Sequence, residues 1–337
     1  MQQAAPTTTD SQTGTHFPGM SPLFLDGVLE FNQLKWGMKP LHLRLAEDGS
    51  ALPAVDAVYY LDRRGRVCKP GTSTYLPVAF YPTPTQSRAR LDRQWIATGS
   101  LLAADMSRRG VVGSLALPPE IVDVRPWQRV GFHVDVRYTF YADLPYDDRI
   151  LDNAVRRQIT KAAKAGFRCE RVASMSDVVH CVADTQHRQG FSYGMSNEDL
   201  TLIQMLAGAD HVRAYVCYAP DGAPVSARVA LHQPGSRAID WLAGTTSEYL
   251  NSGATQLLLR SMLDDLYASG AIAIDFEGAN LRSVASAKAQ WGATLVPFYV
   301  VSTPHLKAVA RHARDYIRFR QSSPGIRAQH EKRSSGQ

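Results

Sequence analysis

Cysteine is scarce and scattered. The four in this chain of 337 residues (Cys68, Cys169, Cys181 and Cys217) form no C-x-x-C pair. That argues against a zinc site and a disulfide framework and points to reduced thiols in a cytoplasm. No metal is expected. Long apolar runs are missing too: none approaches the ~18 residues that a membrane helix needs. Residues 1–20, MQQAAPTTTDSQTGTHFPGM, lack a basic n-region and an apolar h-region, so they read as a disordered polar tail and not as a signal peptide. There is no Walker A loop, no H-E-x-x-H and no G-x-G-x-x-G, which sets aside the common nucleotide-loop, zincin and dinucleotide readings.

Positive charge is present but unevenly placed. Of the net +6, residues 307–337 alone hold eight Lys/Arg against two Asp/Glu, so the rest of the chain is near neutral. Within that stretch Leu306, Val309, Ala310, Ala313, Tyr316 and Ile317 form an apolar stripe. Lys307, Arg311, Arg314 and Arg318 form a basic stripe beside it. Residues 304–320 are therefore expected as an amphipathic helix docked by its apolar side. Its basic side is open to RNA phosphates, an anionic membrane or water. Residues 321–337 read as a second disordered tail.

Between the tails the pattern is globular, and the length suggests two domains. Leu25, Val28 and Leu29 share one helical face, LHLRLAEDG alternates as a strand, and AVDAVYYLDRRGRV reads as strand, turn and strand. The proline-rich stretch at 75–86 is expected to be irregular. LDRQWIATGSLLAADMSRRG reads as a helix, GVVGSLAL as a strand, and VGFHVDVRYTFYADL as a long alternating strand. A second round follows from Pro145. It has three helices, the third opening on a Ser196–Asp199 capping pair, then strands at HVRAYVCY, PVSARVAL and RAIDWLAGT. SGATQLLLRSMLDDLYASG is a long helix, IAIDFEG a strand, LRSVASAKAQWG a short helix and ATLVPFYVVS a last strand. The order is that of a mixed α+β sheet protein, with the first half a weaker version of the second.

The chemistry concentrates at residues 272–293, IAIDFEGANLRSVASAKAQWGA. In a strand Ile272, Ile274 and Phe276 point one way, and Asp275 and Glu277 the other. In the helix after it, Leu281, Val284, Ala285 and Lys288 fall on one inward stripe. A lysine there needs an acid, a bound anion or a route to water, because an uncompensated buried charge is costly. Glu277 is the nearest candidate partner, and a lysine that snorkels to solvent is the alternative. GFSYG, residues 190–194, matches the G-x-S-x-G elbow of serine hydrolases. That elbow must leave a strand and open a helix, and the residues before it are helix-periodic, which disfavours it.

DFEGANLRSVASAKAQWGATLVPFY resembles the closing motif of the Fem-type branch of the GNAT acyltransferase superfamily. RRQITKAAKAGF is similar to its basic helix, DTQHRQGF to its Thr-x-x-Arg-x-Gly-Phe segment, and VDVRPWQRVGFHVDVRYTFYADL to its inter-domain strand. The resemblance spans about residues 21–303. It implies an α+β fold of two tandem GNAT-like domains with mixed, largely antiparallel sheets flanked by helices. These would fall at residues 21–145 and 146–303, with the helix at 304–320 returning to the first domain. It also implies transfer of an acyl or aminoacyl group to an amine, the donor being aminoacyl-tRNA or acyl-CoA. Ala287 stands where the family has an aromatic residue. The family's pyrophosphate loop is reduced here to Ser252, Gly253 and Ala254 at the start of the long helix, an expected donor-phosphate contact.

Glu277 or Asp275 is expected to accept a proton or anchor the amine, with Lys288 neutralising phosphate or oxyanion charge. Arg188 is expected to hold a phosphate or carboxylate, with Tyr193, Trp241 and Arg282 as further substrate contacts. Lys307, Arg311, Arg314 and Arg318 are the expected tRNA contacts. The acceptor would be an amine-bearing peptide, sugar or small metabolite. Two other readings stay open: CoA-dependent acylation of a small amine, and a non-catalytic module binding RNA or an envelope precursor.

Overall fold

The structure, a computed structural model, describes residues 20–46, 51–279 and 282–303. The first half runs α1 (Asp26–Trp36), β1 (Lys39–Ala46), β2 (Ala54–Leu61), β3 (Val67–Cys68), β4 (Val78–Tyr81), α2 (Arg88–Arg109), β5 (Ser114–Ala116), α3 (Arg125–Arg129) and β6 (His133–Asp143). The second runs α4 (Asn153–Lys164), β7 (Arg168–Val172), α5 (Ser176–Gln189), α6 (Asn197–Ala207), β8 (Val212–Tyr218), β9 (Pro224–Leu231), β10 (Arg237–Thr245), α7 (Ala254–Ala268), β11 (Ala273–Asp275), α8 (Arg282–Ala289) and β12 (Thr294–Ser302). From β1 and from β8 onward the main sequence of types is the same: antiparallel strands, a long helix, a short strand, a short helix and a long strand. The repeat expected from the sequence is thus present, in an α+β fold.

The sheets show how the two halves are joined. A four-stranded sheet holds β1, β2, β3 and β4, all antiparallel. An eight-stranded sheet has the order β5-β12-β6-β11-β10-β9-β8-β7, and only β10 and β11 are parallel in it. The last strand of each half sits in the other's territory: β6 pairs with β11, and β12 pairs with β5. The two also pair with each other from Thr294↔Tyr141 to Ser302↔His133. The Leu76 N–H donates to the Ala116 carbonyl at 2.7 Å, which ties the approach to β4 to β5 and links the two sheets.

Apolar side chains on both faces of the large sheet explain its near-continuous hydrophobic strands. On one face Phe31 of α1, Val178 and Val182 of α5, and Leu200 and Ile203 of α6 pack on Val216, Val229 and Leu242. On the other, Val155 of α4 and Leu258, Met262 and Leu263 of α7 pack with Phe276 and Trp291. Trp95, Leu102, Met106 and Trp127 fill the core of the first half under α2 and α3. The capping pair is present at α6, with Ser196 and Asp199 bonded reciprocally to each other's backbone.

Two local readings are corrected. The proline-rich stretch at 75–86 contains β4, because Pro77 and Pro82 flank the strand and leave its ladder bonds to β2 intact. The segment between α4 and α5, for which no element was expected, forms β7. It is an edge strand, and Arg168, Glu170 and Arg171 face water. The helix expected at 304–320 lies outside the described residues.

Gly253 caps the start of α7 at φ +87°, and a Cβ there would stand 2.2 Å from the Gln158 carbonyl of α4. Gly253→Ala is expected to cost about 2 kcal/mol or more, from the left-handed backbone and the clash together. The check is a lower urea midpoint at unchanged m-value.

Candidate active site

β10 and β11 share three rungs, the last being Ile239↔Asp275. Beyond it the chain stays with β6: the Phe276 N–H donates to the Phe140 carbonyl and the Ala279 N–H to the Tyr138 carbonyl. β10 instead runs on to Thr245 beside β9, with Trp241 as an extra residue between the pairs Asp240↔Ala230 and Leu242↔Val229. Such a bulge re-aims side chains next to many functional sites. The strands therefore part, with Asp240 and Trp241 on one lip and residues 276–278 on the other. Glu277 has φ +52°, the one positive value at a non-glycine among the described residues. Strain of that kind persists only where its surroundings enforce it.

Asp275 is what enforces it. The residue is 1% exposed, and both its oxygens are engaged. Oδ1 accepts from the Thr139 hydroxyl at 2.5 Å and from the Glu277 N–H at 2.7 Å, and Oδ2 accepts from the Tyr75 hydroxyl at 2.8 Å. Burial pushes its carboxyl up, and the three hydrogen bonds pull it back. Buried and holding three hydrogen bonds, Asp275 fixes the turn, leaving Glu277 as the carboxyl available for proton transfer. The strand alternation expected through Glu277 ends at Asp275, because the turn lifts Glu277 out of the pleat.

The Glu277 carboxyl is enclosed, and its Oε1 accepts from the Thr74 hydroxyl. Burial first, and then the neighbouring Asp275, push its pKa up to about 8, against the lowering effects of Thr74 and Lys288. Lys288 does point inward. It donates to the Phe276 carbonyl and, at 2.5 Å, to the Glu277 carbonyl. Burial pulls its pKa down, while Asp240, Glu277 and Asp275 act on it through space in the other direction. The partner expected for Lys288 was the Glu277 side chain; the hydrogen-bond partners found are carbonyl oxygens of the turn.

The first half supplies a cover. Residues 69–77 bring Tyr75 and Thr74 to the two acids, and the Thr72 carbonyl accepts from Trp241 Nε1 at 2.8 Å. Lys69 donates to the Ser73 carbonyl, and burial lowers its pKa with Glu277 opposing. Tyr193 stands near Asp240 and Glu277, and burial with these charges pushes its hydroxyl up to about 12.

Sequence reasoning missed the pair at the other lip. Arg228 of β9 and Asp240 of β10 form an ion pair with side chains 11% and 3% exposed. A signal existed: Arg228 and Asp240 are each flanked on both sides by apolar residues of their strands.

The structure thus brings Asp275, Glu277, Lys288, Trp241 and Tyr193 to one place. Arg188 sits at the far end of β10, where it donates to Asp184, Thr185, Ser247 and the Thr245 carbonyl. Ser252, Gly253 and Ala254 open α7 under α4: Ser252 Oγ accepts from the Ala254 N–H, and Lys161 donates to the Asn251 carbonyl. The Arg282 side chain and Lys307, Arg311, Arg314 and Arg318 lie outside what the structure describes. GFSYG follows α5 with no strand before it, so it is no nucleophile elbow. Among the described residues no group of three or more His, Cys, Asp or Glu is placed to hold a metal, and no helix is long and apolar enough to cross a membrane.

Residues 151–283, which include Asp275, Glu277, Asp240 and Arg228, match the family described as Acetyltransferase (GNAT) domain. No curated protein matches the chain significantly. Among solved structures it is similar to FemX, at 12% identity and a TM-score of 0.58 over 82% of this chain and 91% of that one. It is also similar to the C-terminal domain of a putative lysylphosphatidylglycerol synthetase from Agrobacterium fabrum, at 11% identity and 0.52 over 81% and 87%. A conserved protein of unknown function from Bacteroides thetaiotaomicron scores 0.50 at 11% identity, over 82% and 90%. At such identities the likeness is one of fold. Residues 151–283 are thus similar to a GNAT acetyltransferase domain, and the fold of the chain resembles that of FemX.

Proposed function

We propose that the protein forms an amide bond by moving an acyl group, an aminoacyl group in particular, from an activated ester or thioester to an amine. The observation that carries this reading is the enclosed Glu277 carboxyl at the parting of β10 and β11, inside the GNAT domain. The amine nitrogen attacks the donor carbonyl carbon and loses a proton to Glu277. The bond to the ester oxygen or thiol sulfur then breaks, and that atom takes the proton back. A carboxyl raised to about 8 suits both transfers near neutral pH better than an ordinary one. An ammonium group has three N–H donors. Lys288 uses two on the turn, so the third is free to meet the oxyanion or a donor phosphate.

The donor is read as aminoacyl-tRNA. The turn at Gly253, where a CoA pyrophosphate was expected, is packed under α4, which favours a donor whose phosphates lie elsewhere. Acyl-CoA remains the second reading, favoured by the GNAT domain match itself. In either case the acceptor is an amine on a peptide, sugar or small metabolite, and the setting is cytoplasmic. The test is thermal stability with each donor. Charged tRNA is expected to raise the melting temperature in a salt-sensitive way and acetyl-CoA to leave it unmoved. The reverse pattern overturns the tRNA assignment.

A further inference from the structure

Two of the scattered cysteines meet in the fold. Cys169 of β7 lies directly opposite Cys217 of β8 in the antiparallel ladder, between the pairs Arg168↔Tyr218 and Glu170↔Val216. Residues opposed in this way share a face of the sheet, with Cα atoms about 4.5–5.5 Å apart. A disulfide spans Cα separations of about 4.4–6.8 Å, so the register suits a bridge. The side chains are already in touch: one thiol donates to the other sulfur. That bond, and burial after it, push the Cys169 thiol well above its usual range. A thiol kept protonated at neutral pH is a poor nucleophile toward substrate.

Access differs between the two. Cys217 is wholly buried, whereas Cys169 is half-buried on the edge strand of the large sheet. A small oxidant that reaches Cys169 finds the resolving thiol in place. We propose that Cys169 and Cys217 form a modification site, which hydrogen peroxide converts to a reversible disulfide stapling β7 to β8. Peroxide takes the Cys169 thiol to a sulfenic acid and leaves one water. The Cys217 sulfur then attacks the Cys169 sulfur, the S–O bond breaks, and the hydroxyl leaves as a second water with the Cys217 proton. Two electrons pass from the thiols to one peroxide. The bridge closes a loop of about fifty residues. That loop holds α5, α6 and Tyr193, so the bridge tethers the segment carrying Tyr193 without entering the site.

The test uses the full chain, reduced and then treated with hydrogen peroxide, unfolded in iodoacetamide and mapped by mass spectrometry. The reduced chain is expected to be alkylated at all four cysteines, and the oxidised chain at Cys68 and Cys181 alone. The Cys169 and Cys217 peptides should then be joined and lighter by two hydrogens, and dithiothreitol should restore all four thiols. The oxidised chain should melt roughly 5 °C or more above the reduced one, as closing so long a loop stabilises. Cys169→Ser, at the half-buried position, is expected to abolish both the joined peptide and that rise. Four alkylated cysteines after peroxide overturn the proposal. So does Cys169 found as a sulfenic or sulfinic acid with no partner, or a joined pair other than Cys169 and Cys217. An equal rise in the oxidised Cys169→Ser chain overturns it too. If that variant does not fold, the peptide map of the parent chain still decides.

Discussion

Glu277→Gln is expected to slow amide formation by about 10²–10⁴-fold, the usual contribution of one positioned proton acceptor, without unfolding the chain. Gln keeps the oxygen that accepts from Thr74 and removes only the ionisable group. The pH dependence gives a second, independent readout. Glu277 must be ionised to take a proton, so the parent rate should rise with pH through about 8. Stability should move the other way. Between the ordinary carboxylate range and about 8 the folded chain keeps a proton that the unfolded chain has released. Stability therefore falls as pH rises through that window. Below it both states are protonated and the variant matches the parent. Above it the variant should melt at a higher temperature than the parent. Melting curves at pH 5 and pH 9, with rates beside them, check both signs. A variant that keeps more than about a tenth of the parent rate takes Glu277 out of proton transfer.

Asp275→Ala should be the most destabilising single change at the site, at about 3–5 kcal/mol. It strands the hydroxyls of Thr139 and Tyr75 and the N–H of Glu277 together, and it removes the group that holds Glu277 at positive φ. Urea unfolding measures the loss, and one under about 1 kcal/mol would falsify the account of Asp275 as the anchor of the turn. Asp275→Asn is the milder companion. It keeps an acceptor and deletes the negative charge that raises Glu277. Its pH–rate profile should shift to lower pH, and an unshifted profile would mean that Glu277 does not titrate in the reaction.

Much of this was readable from local pattern. Lys288 lies inward, as the helical spacing of Val284, Ala285 and Lys288 implied, and Asp275 ends an apolar strand where the alternation put it. The capping pair at Ser196 and Asp199 was legible for the same reason, since a four-residue span suffices to specify it. What escaped depends on distance along the chain. Thr74 reaches Glu277 across 203 residues, and Tyr75 reaches Asp275 across 200. No periodicity encodes such a contact. The Arg228–Asp240 pair escaped because each member looks like a single flaw in an apolar strand until β9 and β10 are laid side by side. The positive φ of Glu277 escaped because strand alternation assumes that the strand continues.

The traded strands β6 and β12 carry a consequence for how this molecule can breathe. A pair of lobes joined by a hinge admits its substrates by swinging apart. Here each lobe is sewn through the other by its own final segment, so separation would tear nine rungs of backbone pairing. The two halves should therefore melt as one cooperative body.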